Sequence, residues 1–330
     1  MFVDWVTVSQ YHGEAAREVV GGLHFSFDEN GDPGVETGKG RQLKGSYRSS
    51  LMVRSHGGWV KVSGNPSRWH RPDNLFGFDL DTCMEVVNEE LARLDLPAFT
   101  KGNPQAPLLS SVEDWHGLPE WSGATFSALH LTENYVTGSD LLAKLAIKAY
   151  SARAGKYLRK AVYGDETAMF HNTRRTVKAY RKGPDMAVHC KESPWIDWAK
   201  ESGVVRHEVE LKYRYLHDTG MRHWGNCDMA RLYRLFEKET RVLGSPELHH
   251  EPLDLQLLAP PCRLIYAAWM KGEDVRALLP RATFYRHRKA LMAHGVDICE
   301  VRPMGDVIPI VRTVELRRAE PPAGYWSAAA

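Results

Sequence analysis

The order of apolar and polar positions divides the chain into a strand-rich start, a mixed middle and a mainly helical end. Residues 1–72 alternate in short runs broken by glycine-rich turns such as Asn30-Gly31-Asp32-Pro33-Gly34, which predicts strands. Met84, Val87, Leu91 and Leu94 then recur at helical spacing before Pro97, with Asp79 or Asp81 placed to cap the helix. Proline and glycine mark a loop over 101–123, and a strand follows at 126–132. Ser139 caps a second helix that carries Leu142, Leu145 and Ile147 and ends near Gly155. Strands return at 161–164, at about 174–181 and at 204–212.

This order predicts an α+β fold: an antiparallel sheet with helices packed on one face and the other face open to a ligand. Two domains are expected, 1–224 and a mainly helical 225–330. In the second, 245–258 reads as a proline-bearing linker, and a helix starts over 264–270. Residues 272–280 and 281–291 read as helix, tight turn, helix, with Thr283 as cap and Arg286 and Lys289 on the exposed side. That is the shape of a helix-turn-helix whose second helix enters a major groove; the plainer alternative is a basic surface helix.

Period two sorts the chemistry of three strands. Thr176, Lys178, Tyr180 and Lys182 share one face, as do Phe126, Ala128, His130 and Thr132, and as do Arg206, Glu208, Glu210 and Lys212. A phenol flanked by ammonium groups is a candidate nucleophile toward a phosphodiester, because positive charge stabilises the phenolate. Glu208 and His130 are candidate ligands for a divalent cation such as Mg²⁺ or Mn²⁺. The plainer readings are an amphipathic strand tyrosine, a satisfied histidine and a solvated charged face.

Composition narrows these readings only slightly. The 330 residues are 43% hydrophobic and 25% charged, which argues against disorder, and no run of about 18 apolar residues could span a bilayer. Met1 to Val8 alternates like a strand and lacks a basic n-region, so a cytoplasmic protein is expected. Five scattered cysteines without a Cys-x-x-Cys pair point to reduced thiols. A net charge of +2 announces no nucleic-acid partner, although Lys and Arg cluster at 148–160, 174–182 and 281–289.

With these strands placed, the chain resembles the replication initiators of filamentous phages, the gene II family of strand-nicking and rejoining endonucleases. The resemblance rests on Asp73-Asn74-Leu75-Phe76-Gly77, the strand ending His130-Leu131-Thr132, residues 174–182, and Val205-Arg206-His207-Glu208 with Lys212-Tyr213-Arg214-Tyr215-Leu216. It extends to the helical segment 280–295 and to Val307-Ile308-Pro309-Ile310-Val311-Arg312. It implies a nuclease core in which Tyr180 is the nucleophile, Lys182 the following lysine and Glu208 the acidic ligand, with Glu210 a solvated charge. His130 stands where the family strand carries an aspartate, a change that favours Mn²⁺ over Mg²⁺.

The same resemblance implies binding of double- and single-stranded phage origin DNA in the host bacterial cytoplasm, alongside host polymerase and helicase. Lys178, Arg175, Arg181 and Arg206 are candidate phosphate contacts, and Arg281, Arg286 and Lys289 candidate groove contacts. Tyr213 or Tyr215 is a candidate second tyrosine in rejoining. A non-catalytic origin-binding regulator with the same fold, or a protein that uses a water nucleophile, is the competing reading.

Overall fold

The computed structural model describes residues 1–19, 21–27, 33–105, 118–153, 157–244, 247–249, 258–292, 296, 298–299 and 313–327. The turn at 28–32, Gly155, most of the 245–258 linker and the 307–312 motif lie outside these residues, as does 106–117 of the expected loop. Ten strands form the main sheet: β1 (Phe2–Tyr11), β2 (Arg41–Lys44), β3 (Ser50–His56), β4 (Trp59–Gly64), β5 (Thr125–Val136), β6 (Arg159–Tyr163), β7 (Thr167–His171), β8 (Arg175–Arg181), β9 (Val204–Lys212) and β10 (Arg317–Arg318). Their order is β6-β7-β8-β9-β5-β1-β4-β3-β2, with β10 pairing the far end of β5, and every pairing is antiparallel. The α+β class with an antiparallel sheet is thus the observed one.

Helices α1 (Leu80–Arg93) and α2 (Asp140–Ser151) form where the apolar period and caps place them. The Asp79 carboxylate accepts from Thr82 N at 2.8 Å and the Ser139 hydroxyl from Leu142 N at 3.2 Å, each satisfying an amide that the first helical turn leaves unpaired. Both lay their apolar stripes on one face of the sheet. Cys83, Met84, Val87, Leu91, Ala146 and Ile147 meet Val6, Val8, Leu129, Leu131, Val177, Val209 and Leu211, all essentially without exposure.

This core runs on past residue 225. Leu232 and Phe236 of α6 (Met229–Thr240) join it, as does Tyr215 of α5 (Tyr213–Asp218). A second, smaller core at one end of the sheet gathers Leu75, Phe76, Val204 and Tyr325 with α3 (Lys182–His189) and α4 (Ile196–Glu201).

Two bulges change which residues face where. Val3 pairs Leu131 and Trp5 pairs His130, so Asp4 is an extra residue in β1; Thr7 pairs Ala128 and Val8 pairs Phe126, so Ser127 is an extra residue in β5. As a result Phe126 faces the helices with Leu129 and Leu131, whereas strict alternation puts it on the side of His130.

Three further helices, α7 (Pro260–Met270), α8 (Val275–Leu278) and α9 (Arg281–Met292), close around their own core of Cys262, Tyr266, Val275, Phe284 and Leu291. The helix expected over 272–280 is one turn long, capped by Asp274. Thr283 lies inside α9, since the helix already starts at Arg281.

Candidate active site

Strand register assembles the site. On β8 and β9 Tyr180 stands opposite Arg206, Lys178 opposite Glu208, and Thr176 opposite Glu210; on β9 and β5 Glu208 stands opposite Thr132 and Glu210 opposite His130. Directly opposed residues share a face and approach to about 5 Å, so side chains far apart in sequence become neighbours. The Tyr180 hydroxyl donates to Glu208 Oε2 at 3.2 Å, and His130 Nδ1 lies 3.5 Å from Glu208 Oε1. His130, Glu208 and Glu210 each offer one ligand atom, all within 4.8 Å of one another.

The charged face of β9 is therefore not a solvated one. Glu208 is buried, and Glu210, expected in solvent, is partly buried and bonded to Lys178. Lys178 Nζ also donates to Glu208 Oε1 at 3.2 Å, so one ammonium bridges both carboxylates. Burial alone would raise the Glu208 carboxyl, but the His130 ring, Lys178 and Arg206 together hold it well below the usual carboxylate range. Glu210 is likewise held low, against burial, by Lys178.

Tyr180 behaves opposite to expectation. Burial pushes its phenol well above the usual value; Arg206 pulls it down, while Glu208 and Asp185 push it further up. The two flanking lysines are committed elsewhere. Lys178 serves the two glutamates, and Lys182, the first residue of α3, donates to Asn74 Oδ1 at 2.9 Å and Asp185 at 2.6 Å, with its ammonium 5.9 Å from the Tyr180 ring.

Arg206, expected at a phosphate, has no exposed surface. Its guanidinium donates to Asn134 at 2.9 Å and to the carbonyls of Asn74 and Leu75 at 2.5 and 2.8 Å, so it ties the 73–77 loop to the sheet. Arg175 is paired with Glu239, and Arg181 with Asp140. Tyr215 is buried and donates to Glu239, while Tyr213 is exposed beside Arg222 and stacks on His217.

Sequence reading placed Asn74 in the 73–77 motif but gave it no role. Its amide nitrogen donates to Asp4 Oδ1 at 2.9 Å and its oxygen accepts from Lys182, so it links the β1 bulge to α3. The loop is held in turn by Asp73, which accepts from Leu75 N, Ser193 and the Tyr325 hydroxyl, the last at 2.6 Å. Gly77 has a steric reason: a Cβ there would lie 2.4 Å from the Phe2 ring. The repeated polar residues around Asp73 were the available signal, although their partners are too distant in sequence to infer.

The donor set suits a divalent cation. One imidazole and two carboxylates match Mg²⁺ or Mn²⁺ better than a soft metal, and the buried Thr132 Oγ1 opposite Glu208 has no hydrogen-bond partner. Away from the sheet, Arg281, Arg286 and Lys289 lie on the exposed side of α9, and Arg276, Arg281 and Tyr285 line a shallow depression.

An antiparallel sheet presenting a tyrosine, an acidic pair and a histidine, joined to a helical unit with a basic side, has the parts of a nucleic-acid-processing protein. Family comparison makes this specific. Residues 2–230 match the N-terminal family of the phage replication-associated protein encoded by gene II, and 259–328 match the C-terminal family of the same protein; the chain belongs to this gene II family of replication initiators. It is 28% identical to the replication-associated protein of that family from Escherichia phage If1, over 84% of this chain and 96% of that protein. It is 26% identical to that of Enterobacteria phage I2-2, over 98% and 96%. A solved rolling-circle replication initiator from Geobacillus stearothermophilus is similar at 13% identity and a TM-score of 0.25, covering 65% of this chain and 75% of that one, too slight a likeness to carry weight. No helix among the described residues is long and apolar enough to cross a membrane.

Proposed function

We propose that this gene II family chain is a rolling-circle replication initiator that nicks one strand of phage origin DNA through Tyr180 and later rejoins it. The observation that carries the reading is the convergence of Tyr180, Glu208, Glu210 and His130 from three strands, with the phenol 3.2 Å from Glu208. Glu208 orients the hydroxyl. It is a poor base, being held low, so ionisation of Tyr180 needs more positive charge than Lys178 and Lys182 have to spare.

His130, Glu208 and Glu210 would hold Mg²⁺ or Mn²⁺, which when bound supplies that charge beside the phenolate and the scissile phosphate. Tyr180 Oη forms the bond to phosphorus and loses its proton; the bond from phosphorus to the 3′ oxygen breaks, and that oxygen takes up a proton. No water is consumed, so the reverse reaction reseals the strand. The free 3′ hydroxyl is a primer for a host polymerase, with a host helicase opening the duplex ahead. The sheet with α1–α6 would do this chemistry, and α7–α9 would hold duplex origin DNA through Arg281, Arg286 and Lys289.

The test is incubation with a supercoiled plasmid bearing the origin and Mg²⁺ or Mn²⁺. Relaxed circles carrying a tyrosyl–DNA adduct at Tyr180, and a loss of nicking of at least about a thousandfold in Tyr180→Phe, are expected. Nicking without an adduct identifies a water nucleophile. Origin binding with no nicking under any divalent metal identifies a non-catalytic regulator.

A further inference from the structure

The polar face of the sheet does not end at His130. Register carries it onward: Trp5 lies opposite His130, Thr7 opposite Ala128 and Ser63, Ser9 opposite Lys61, and Tyr11 opposite Trp59. On β3 and β2, Arg54 lies opposite Lys61, Met52 opposite Ser63, and Lys44 opposite Ser50. Residues of the same strands that point the other way, Val6, Val8, Val53, Val60 and Val62, are buried under the helices.

Three large aromatic side chains on this face stand in solvent. Trp5 is 38% exposed, Trp59 50% and Tyr11 59%. The Trp5 indole stacks on His130, with ring centroids 6.0 Å apart and planes 28° from parallel, and its Nε1 donates to Thr7 Oγ1 at 3.2 Å. Tyr11 and Trp59 form a second platform, 5.5 Å apart. Between and beside them lie Lys61, Arg54 and Lys44, and the residues that β1, β2, β3 and β4 turn to this face beyond the Asp4 bulge include no carboxylate.

Exposed aromatic platforms alternating with cations are what a single nucleic-acid strand binds: bases stack, phosphates meet ammonium and guanidinium groups. A protein partner with an apolar face would find the cations unmatched, and a duplex would keep its bases from the rings. We infer that single-stranded DNA flanking the scissile phosphate lies across β1, β4 and β3, with Trp5 stacking the base next to the site. The Tyr11–Trp59 pair takes a base about 20 Å further along, six residues of strand away. This rests on the nicking site proposed above, because the platform is continuous with His130.

The experiment measures fluorescence anisotropy of a labelled single-stranded origin oligonucleotide with the full chain carrying Tyr180→Phe, so that affinity is read without chemistry. Adding Trp5→Ala or Trp59→Ala weakens binding at least about fivefold, Lys61→Ala reduces its salt dependence, and Trp59→Phe restores most of the affinity lost in Trp59→Ala. Affinity for duplex origin DNA stays as it was. Unchanged single-strand affinity in both alanine variants overturns the track, whether or not the wild-type protein nicks. Equal losses for single strand and duplex overturn it too, since a folding defect would produce them. Absence of nicking by the wild type, with the selective losses intact, removes the nicking reading and leaves the track standing.

Discussion

The polar face of β8 and β9 and the exposed side of α9 are both rich in cations, yet they use them in opposite ways. Around the Tyr180 site each cation is answered by an oxygen: Lys178 by Glu208 and Glu210, Lys182 at the start of α3 by Asp185 and Asn74, Arg206 by Asn134 and two carbonyls. On α9 Arg281, Arg286 and Lys289 point outward with no ion pair among the described residues. Internally answered charges fix geometry and are little screened by salt; unanswered ones act at long range and are screened strongly. The lesson is that counting basic residues along a chain locates neither function; what faces each charge does.

The sharpest way to break the comparison is to unbalance the sheet. Glu208→Gln leaves Lys178 and His130 facing a neutral amide, and a loss of roughly 3–5 kcal/mol in unfolding free energy is expected, with Mn²⁺ affinity down at least about tenfold. Glu210→Gln, at a more exposed position, should show the same signs with smaller size; equal effects would mean that the two carboxylates are interchangeable. Chemical denaturation and a metal titration check both.

Acid should act on the sheet and spare the helix. Glu208 and Glu210 are held below their ordinary values in the folded chain, so their contribution is present above about pH 4.5 and is lost as pH falls through the folded values. Unfolding free energy of the metal-free protein therefore drops on acidification below that point, and less steeply in Glu208→Gln. A parallel drop in both proteins would place the sensitive groups elsewhere.

Removing α9 charges sharpens the contrast from the other side. Arg286→Ala or Lys289→Ala is expected to weaken duplex origin binding severalfold each and to lower the salt slope by about one unit. Cleavage of a single-stranded oligonucleotide should not change. Tyr325→Phe touches neither set of cations: it strips a hydrogen bond from Asp73 and another from Phe76 N, and a loss of about 1–3 kcal/mol in stability with duplex binding unchanged is expected, read by thermal melting and anisotropy.

Much of this frame is legible in sequence, for local reasons. Helices α1 and α2 announce themselves through apolar period and through Asp79 and Ser139, whose caps depend on residues three positions away. Strand β9 is legible because Val205, His207, Val209 and Leu211 alternate with charge. The bulges at Asp4 and Ser127 are not, because alternation alone cannot say where a partner strand gains a residue, and Phe126 is assigned to the wrong face as a result.

The site divides the same way. Tyr180, Glu208 and His130 are visible as residue types on the right strands. The sign of the Tyr180 shift is invisible, since it depends first on burial of the phenol and then on Glu208 and Asp185 lying beside it. Glu210 looks solvated because charge on a strand usually is, and Asn74 sits in a loop with no period to read.

The bond between Tyr325 and Asp73 joins residues 252 positions apart. Every strand of the sheet except the short β10 precedes residue 213, so the ribosome has delivered Tyr180, Glu208 and His130 long before the loop that carries Asn74 receives its last clasp. Arg206 and Ser193 hold this loop from earlier in the chain, and Tyr325 adds its bonds to Asp73 and Phe76 last. The last residues of the described chain thus close a loop begun near its start, so shortening the chain at this end reaches Asp73 without touching the sheet.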